Sequence, residues 1–215
     1  MPDPAFDHVT DWVFDLDNTL YPPAVRLFDQ IEVKMTDYMV QLLGIEPAAA
    51  NELRQHYWQT YGTTLAGLMQ EHDIAPDPFL HDVHQIDFSA LMPDPELAEA
   101  IAALPGRKIV YTNGTAPYAN EVLAARGLKD LFAKVYGVEH ANYHPKPKAE
   151  AYEKVFQRDG LSPACAAMFE DEARNLAVPS SLGMRTVLVH GTRPENSGYI
   201  DYETHTLTTF LRQIV

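Results

Sequence analysis

Four short stretches of the sequence carry side chains that could act together on one substrate. Asp15 and Asp17 lie one residue apart in DLDNT, directly after the apolar Trp12-Val13-Phe14. The other candidates are Thr112, Asn113 and Gly114 in YTNGT, Lys146 in HPKPK, and Glu170 with Asp171 in FEDEARN. Carboxylates placed so closely repel one another, so a metal ion or the lysine must compensate their charge.

The chemistry that these groups could perform together is phosphoryl transfer. A carboxylate can attack phosphorus and form an aspartyl-phosphate, which divides hydrolysis into two easier steps. A second acid must protonate the leaving alkoxide and then accept a proton from the attacking water. Mg²⁺ prefers oxygen ligands and bridges carboxylates to phosphate, while a lysine and hydroxyl or amide donors bind the remaining phosphate oxygens.

The elements that position these residues are predicted strands. WVF ends before Asp15, KIVY ends before Thr112, and AAMF ends before Glu170, while Lys146 precedes a predicted helix at AEAY. From Pro93 onward, short strands alternate with helices of about ten residues, which indicates βαβ units and a parallel sheet. Binding sites in such sheets lie at the carboxyl ends of the strands, so we expect the candidates to meet there.

The chain divides into two predicted parts. The segment from 23 to 90 has helical periodicity, with Leu27, Ile31, Tyr38 and Leu42 on one face of its first helix, and it shows no strand pattern. We therefore predict an α/β fold with a Rossmann-like parallel sheet formed by residues 1–22 and 91–215. Residues 23–90 form an inserted all-helical cap in this prediction.

Composition limits the classes of function. The 215 residues are 46% hydrophobic and 21% charged, which favours a folded globular chain. A net charge of −14 argues against nucleic-acid polymers and anionic membranes as partners, but not against a small phosphorylated molecule. With a single cysteine, Cys165, no intrachain disulfide can form, and no apolar segment is long enough to span a membrane. We expect a cytoplasmic protein whose partner is a small phosphomonoester; the oligomeric state stays open.

With these four stretches in this order, the sequence resembles the haloacid dehalogenase-like (HAD) hydrolase superfamily along nearly its whole length. DLDNT looks like motif I of that family, YTNGT like motif II, the lysine of HPKPK like motif III, and FEDEARN like motif IV. The resemblance implies a HAD-like fold with a C1-type cap. It implies Asp15 as nucleophile, Asp17 as general acid/base, Lys146 as the catalytic lysine, and Thr112, Asn113 and Gly114 as phosphate binders. Mg²⁺ would be held by Asp15, the backbone carbonyl of Asp17, Asp171 and Glu170, where the family more often has a second aspartate.

Within the superfamily, DLDNTLYPP and YGTTLAGL resemble the pyrimidine 5'-nucleotidase group. This likeness makes Tyr21 a candidate substrate contact. The aromatic residues Tyr57, Trp58 and Tyr61 could stack on a pyrimidine or form the interior of the cap. His81 and His84 show no metal-binding pattern, and we expect them at the surface.

The most specific hypothesis is a Mg²⁺-dependent phosphomonoesterase that acts on a pyrimidine nucleoside 5'-monophosphate through an aspartyl-phosphate. Asp17 favours phosphate chemistry, because dehalogenases of this superfamily lack an aspartate at that position. Alternatives within the enzyme class are a phosphatase for phosphoglycolate or a sugar phosphate, and a phosphomutase similar to β-phosphoglucomutase. A non-catalytic domain that binds a phosphorylated ligand is the alternative from another class, although Asp15 and Asp17 are both intact.

Overall fold

A parallel six-stranded sheet forms the centre of the protein, which a computed structural model describes over residues 3–214. The strands are β1 (Asp11–Phe14), β2 (Arg107–Tyr111), β3 (Lys134–Tyr136), β4 (Ala166–Glu170), β5 (Arg185–Val189) and β6 (Tyr202–Thr204). Their spatial order is β3-β2-β1-β4-β5-β6, so β1 lies between β2 and β4. The predicted α/β class with a Rossmann-like parallel sheet is confirmed.

Nine α-helices accompany the sheet in the described residues. They are α1 (Leu27–Leu43), α2 (Pro47–Tyr61), α3 (Thr64–His72), α4 (Pro76–Val83), α5 (Pro95–Ala103), α6 (Ala116–Ala125), α7 (Ala149–Asp159), α8 (Ala177–Ser181) and α9 (Leu207–Ile214). Helices α1 to α4 follow one another between β1 and α5, and the structure places no strand in this stretch of the described chain. We call the stretch from α1 to α4 the helical segment. None of the helices in residues 3–214 is long and apolar enough to cross a membrane.

The central strand is buried on both of its faces. Trp12 and Phe14 contribute to one hydrophobic cluster, Val13 contributes to the other, and each is at most 1% exposed. This alternation follows from the two-residue period of a strand, and burial on both faces is typical of parallel sheets covered by helices. In register, Phe14 lies between Val110 of β2 and Phe169 of β4, so these three strands end side by side.

Local sequence signals explain the ends of the helices in the helical segment. Gly44 ends α1 with a φ of 64°, a left-handed conformation that glycine adopts without steric cost. Thr63 begins α3, where its hydroxyl accepts a hydrogen bond from the backbone N–H of Ala66. Leu42, expected on the buried face of α1, is 42% exposed, whereas its neighbour Leu43 packs against the hydrophobic core, so the buried face of the helix passes through Leu43 instead.

Two elements differ from the sequence prediction. The short edge strand β6 was not expected, because three half-exposed residues carry no strand pattern. EARNLAVPSSLG is one of the helices that the alternating pattern after Pro93 predicts, but it is broken into a 3-10 turn at Ala173–Leu176 followed by the five-residue α8. Pro179 has no N–H with which to bond the carbonyl of Asn175, and that carbonyl instead accepts a hydrogen bond of 2.6 Å from the Tyr152 hydroxyl.

Candidate active site

The carboxyl ends of three adjacent strands bring the predicted residues together. Asp15 directly follows β1, Thr112 directly follows β2, and Glu170 is the last residue of β4. The backbone N–H of Asp15 continues the ladder with a 2.9 Å hydrogen bond to the Phe169 carbonyl. Because these strands are neighbours, residues about a hundred positions apart in the chain lie at one edge of the sheet.

Lys146 connects the first and last of these strand ends. Its ammonium Nζ donates hydrogen bonds of 2.7 Å to Asp15 Oδ1, 2.7 Å to Glu170 Oε2 and 3.0 Å to the Tyr111 carbonyl. The side chain is 1% exposed. Burial alone would lower the pKa of Lys146, but the carboxylates of Asp15 and Glu170 outweigh it and raise the pKa above its usual value. The lysine is therefore a permanent positive charge between two acids.

Asn113 holds the loop that carries this lysine. Its side-chain amide donates to the Lys146 carbonyl at 3.1 Å and accepts from the Lys146 N–H at 2.8 Å. Thr112 Oγ accepts a 2.9 Å hydrogen bond from the N–H of Gly114, where an added Cβ would lie 2.9 Å from the Tyr118 ring. Thr112, Asn113 and Gly114 all line one cavity with Asp15. Their expected contact with phosphate stays a prediction, and the loop-holding role of Asn113 is an addition to it.

Two tyrosines hold the side chain of Asp17. Tyr21 and Tyr118 donate hydrogen bonds of 2.7 Å and 2.6 Å to the same oxygen, Asp17 Oδ1. Burial, followed by the charge of Asp15, raises the pKa of Asp17 to about 6, although the two tyrosine hydrogen bonds oppose the rise. Asp17 can therefore carry or release a proton near neutral pH.

The structure places Tyr21, a candidate substrate contact, outside the set of residues that line the cavity. Tyr21 is 1% exposed, and its hydroxyl is bonded to Asp17. It does not belong to the residues that line the cavity, whereas Asp17 does. Its contact with a substrate stays a prediction, and the structure adds a role for this tyrosine in holding the carboxylate of Asp17.

An acidic cluster of Asp15, Glu170 and Asp171 offers a site for a hard cation. One carboxylate oxygen from each residue lies within 4.8 Å of the others, and an all-oxygen donor set suits Mg²⁺. Glu170 also bonds Lys146 and, at 2.5 Å, the Asn175 amide, so Asp15 and Asp171 offer the freer oxygens. Asp17 contributes no side-chain oxygen to this cluster, which leaves its backbone carbonyl as the expected ligand.

Metal binding should stabilise the protein more at higher pH. Burial, followed by the charge of Asp15, raises the pKa values of Glu170 and Asp171 above their usual range. The metal-free folded protein then binds more protons than the unfolded chain, so it loses stability as pH rises through the raised pKa values. We expect the melting temperature in EDTA to fall from about pH 5 to about pH 8, and millimolar MgCl₂ to raise it more at the upper pH. Differential scanning calorimetry checks this, and equal shifts at both pH values would contradict it.

The helical segment and the sheet edge enclose a cavity of about 480 Å³ that contains the acidic cluster. Arg174, three residues after Asp171, fastens the end of α2 to this edge. Its guanidinium donates to the carbonyls of Trp58 at 3.0 Å and Gly62 at 3.1 Å, and its centre lies 3.8 Å from the centroid of the Trp58 ring. One face of Trp58 is thus covered by Arg174, so a stacked ligand would have to use the other.

The remaining predictions, for the aromatic residues and the histidines, have different outcomes. Tyr57 is 4% exposed and belongs to the hydrophobic core with Tyr61 packed beside it, which matches the alternative that these tyrosines form the interior of the cap. The expectation that His84 lies at the surface is wrong. Its ring stacks on Tyr118 at 4.4 Å with an interplanar angle of 8°, and burial lowers its pKa to about 4.

Three residues of the site were not predicted from the sequence. Tyr118 lies on the buried face of α6, where its spacing indicates only helix packing. Arg174 and Asn175 lie within FEDEARN, but their partners, the carbonyls of α2 and the side chain of Glu170, become visible only in three dimensions. The one local hint for Asn175 is its position, five residues after Glu170 at the end of β4.

The fold and site define a hydrolase of the α/β class, and comparison with known proteins identifies its family. Residues 13–183 match the family model described as haloacid dehalogenase-like hydrolase. Since this match spans most of the chain, the protein belongs to the HAD-like hydrolase family, as its motifs predicted.

One protein of similar sequence and two solved structures of similar fold are consistent with this family. The chain is 27% identical over 208 residues to Phosphate metabolism protein 8 of Saccharomyces cerevisiae, covering 87% of this chain and 62% of that relative's length. A HAD phosphatase from Thermococcus onnurineus superposes with a TM-score of 0.61 at 22% identity, covering 96% of this chain and 97% of the other. A 2-haloacid dehalogenase from Pseudomonas syringae pv. Tomato DC3000 superposes with a TM-score of 0.58 at 20% identity, over 96% and 98%. Structural likeness at these identities shows the shared fold.

Proposed function

We propose that this protein is a Mg²⁺-dependent phosphomonoesterase that forms a phosphorylated Asp15. The observation that carries the proposal is Asp17, a carboxyl group with a pKa raised to about 6, two residues from a carboxylate paired with a buried lysine. Dehalogenation through an ester intermediate releases a halide, which needs no acid, whereas the departure of an alkoxide does. The name of the yeast relative, a phosphate metabolism protein, supports the same choice.

In the first step, the Asp15 oxygen that is not bonded to Lys146 attacks phosphorus, so that an O–P bond forms and the bond to the leaving oxygen breaks. Asp17 donates its proton to that leaving oxygen. Lys146 stays protonated and attracts the charge on the phosphoryl oxygens and Asp15. In the second step, Asp17 takes a proton from water as the water oxygen attacks phosphorus, which releases phosphate and restores Asp15.

The other residues of the site position these groups. Tyr21 and Tyr118 fix the orientation of Asp17 through one of its oxygens, which leaves the second oxygen for proton transfer. Asp15, Asp171, Glu170 and the carbonyl of Asp17 would hold Mg²⁺. When bound, this ion supplies positive charge that screens the carboxylates from the phosphate. The apolar cavity wall formed by the helical segment excludes water from the leaving group.

For the substrate, we propose a pyrimidine nucleoside 5'-monophosphate. The cavity of about 480 Å³ lies within the range that fits a ligand of this size, and apolar and aromatic side chains of the helical segment form a large part of its outer wall. A nucleoside presents flat apolar surface to such a wall, while a hexose would leave hydroxyl groups unpaired against it. Phosphatases for phosphoglycolate and sugar phosphates, and a phosphomutase, are the competing assignments.

A substrate panel tests this proposal. With Mg²⁺ present, we expect p-nitrophenyl phosphate to be hydrolysed, and UMP and CMP to give kcat/KM values at least about tenfold above those for AMP, phosphoglycolate and glucose 6-phosphate. Release of phosphate is the measurement. Equal rates across the panel would refute the nucleotidase assignment while leaving the phosphatase assignment in place. No release from any member, with or without Mg²⁺, would refute both.

A further inference from the structure

The cations that line the cavity are all engaged by protein groups. They are Arg54, Lys146 and Arg174 among the described residues. Lys146 is bonded to Asp15 and Glu170, and Arg174 to two backbone carbonyls. Arg54, on α2, donates at 2.9 Å to Glu32 of α1 and at 3.0 Å to Asn51. The leaving-group end of the cavity therefore holds no free cation in the described structure.

Glu32 and Arg54 form an ion pair whose partners differ in exposure. The Arg54 side chain is 11% exposed, while the Glu32 side chain is 42% exposed, and both residues line the cavity. Glu32 accepts the Arg54 hydrogen bond through Oε1, which leaves Oε2 as an acceptor. Arg54 Nε is enclosed and has no hydrogen-bond partner among the described residues. Arg54 is thus directed at Glu32, and Glu32 is the member of the pair that a ligand can reach.

Apolar side chains and one histidine line the same cavity as this pair. Phe28, Ile31, Met35, Phe79, Leu80 and Val83 form the apolar part of the cavity wall. His84 also lines the cavity, and burial lowers its pKa to about 4, so the ring is neutral at neutral pH. An anionic leaving group placed here would be desolvated against apolar side chains and would meet Glu32 without a free cation, which is unfavourable on both counts.

From these contacts we infer that Glu32 determines substrate specificity by accepting a hydrogen bond from an uncharged leaving group and by repelling leaving groups that carry an anion. The inference rests on the proposed phosphatase function and narrows its substrate class. A nucleoside, whose base carries N–H donors and whose body is neutral, fits these requirements. Phosphoglycolate and bisphosphorylated sugars, which place a second anion beside Glu32, do not fit them.

The test compares Glu32→Gln with the unmodified protein on UMP and phosphoglycolate. We expect the unmodified protein to prefer UMP by at least about 100-fold in kcat/KM. Glu32→Gln removes the negative charge and leaves Arg54 without an ionic partner, so the preference should narrow by at least about tenfold, with phosphoglycolate improving and UMP weakening. Glu52→Gln makes the same chemical change at an exposed position of α2 outside the cavity, and its preference should equal that of the unmodified protein.

Binding measurements separate this inference from the proposed function. Calorimetric titration of UMP and phosphoglycolate into Asp15→Asn protein, alone and combined with Glu32→Gln, reports the same preference without turnover. If the unmodified protein hydrolyses no phosphate ester, the phosphatase proposal fails, and the binding ratio still decides the role of Glu32. Phosphoglycolate bound as well as UMP by the Asp15→Asn protein, or a ratio that Glu32→Gln leaves unchanged in a folded variant, would overturn the inference.

Discussion

Asp15→Asn is expected to lower Mg²⁺-dependent hydrolysis of p-nitrophenyl phosphate by at least about 10⁴-fold, because an amide is a poor nucleophile toward phosphorus. The substitution keeps the shape of the side chain, and Lys146 retains its bond to Glu170, so the fold should persist. Substrate binding should also persist, since the phosphate contacts of Lys146 and the strand ends remain. The expected signature is therefore a loss in kcat without a comparable rise in the dissociation constant of the substrate.

Two measurements make this result specific. Asp37→Asn, at an exposed position on α1, is the matched control and should retain the activity of the unmodified protein. Rapid acid quenching during turnover, followed by mass spectrometry, should find the phosphoryl group on the peptide that contains Asp15. Undiminished turnover by a homogeneous preparation of Asp15→Asn would exclude Asp15 as the nucleophile, whatever the other residues do.

The sequence predicted the sheet and the gathering of its polar strand ends because both follow from local patterns. Runs such as WVF and AAMF are apolar throughout, as strands buried on two faces must be, and acids can follow them only where the sheet edge opens. Parallel order then places Asp15, Thr112 and Glu170 together without further information. The stops at Gly44 and Gly62 likewise depend on a single residue type each.

What the sequence could not predict depends on contacts between distant segments. Whether Tyr21 lines the cavity or supports Asp17 depends on Tyr118, which lies 101 residues from Asp17 in the chain and bonds the same oxygen. The burial of His84 depends on that same tyrosine, on which it stacks. The role of Glu32 requires Arg54 to meet it from another helix, and the spacing of 22 residues between them has no characteristic pattern. Such pairings are consequences of packing and carry no periodicity in the chain.

The second large effect concerns the lysine. Lys146→Met keeps most of the length of the buried side chain and removes the charge that Asp15 and Glu170 share at 2.7 Å each. Two carboxylates that face each other without a cation are strongly destabilising when buried, so we expect a loss of about 3–5 kcal/mol in the free energy of unfolding at about pH 8. Hydrolysis of p-nitrophenyl phosphate should fall at least about 100-fold, because the charge that stabilises the phosphoryl oxygens is lost.

The pH dependence distinguishes this electrostatic cause from a simple packing defect. Without the lysine, the pKa of Glu170 rises further, because burial and the repulsion from Asp15 are no longer opposed by a cation. The folded variant then takes up protons that the unfolded chain does not hold, so its instability should shrink as pH falls from about 8 to about 5. Lys148→Met, an exposed position two residues along the same loop, should change neither stability nor activity. If the loss in the free energy of unfolding of Lys146→Met is constant over this pH range, its cause is the shape of methionine. The charge of Lys146 would then not be what stabilises the site.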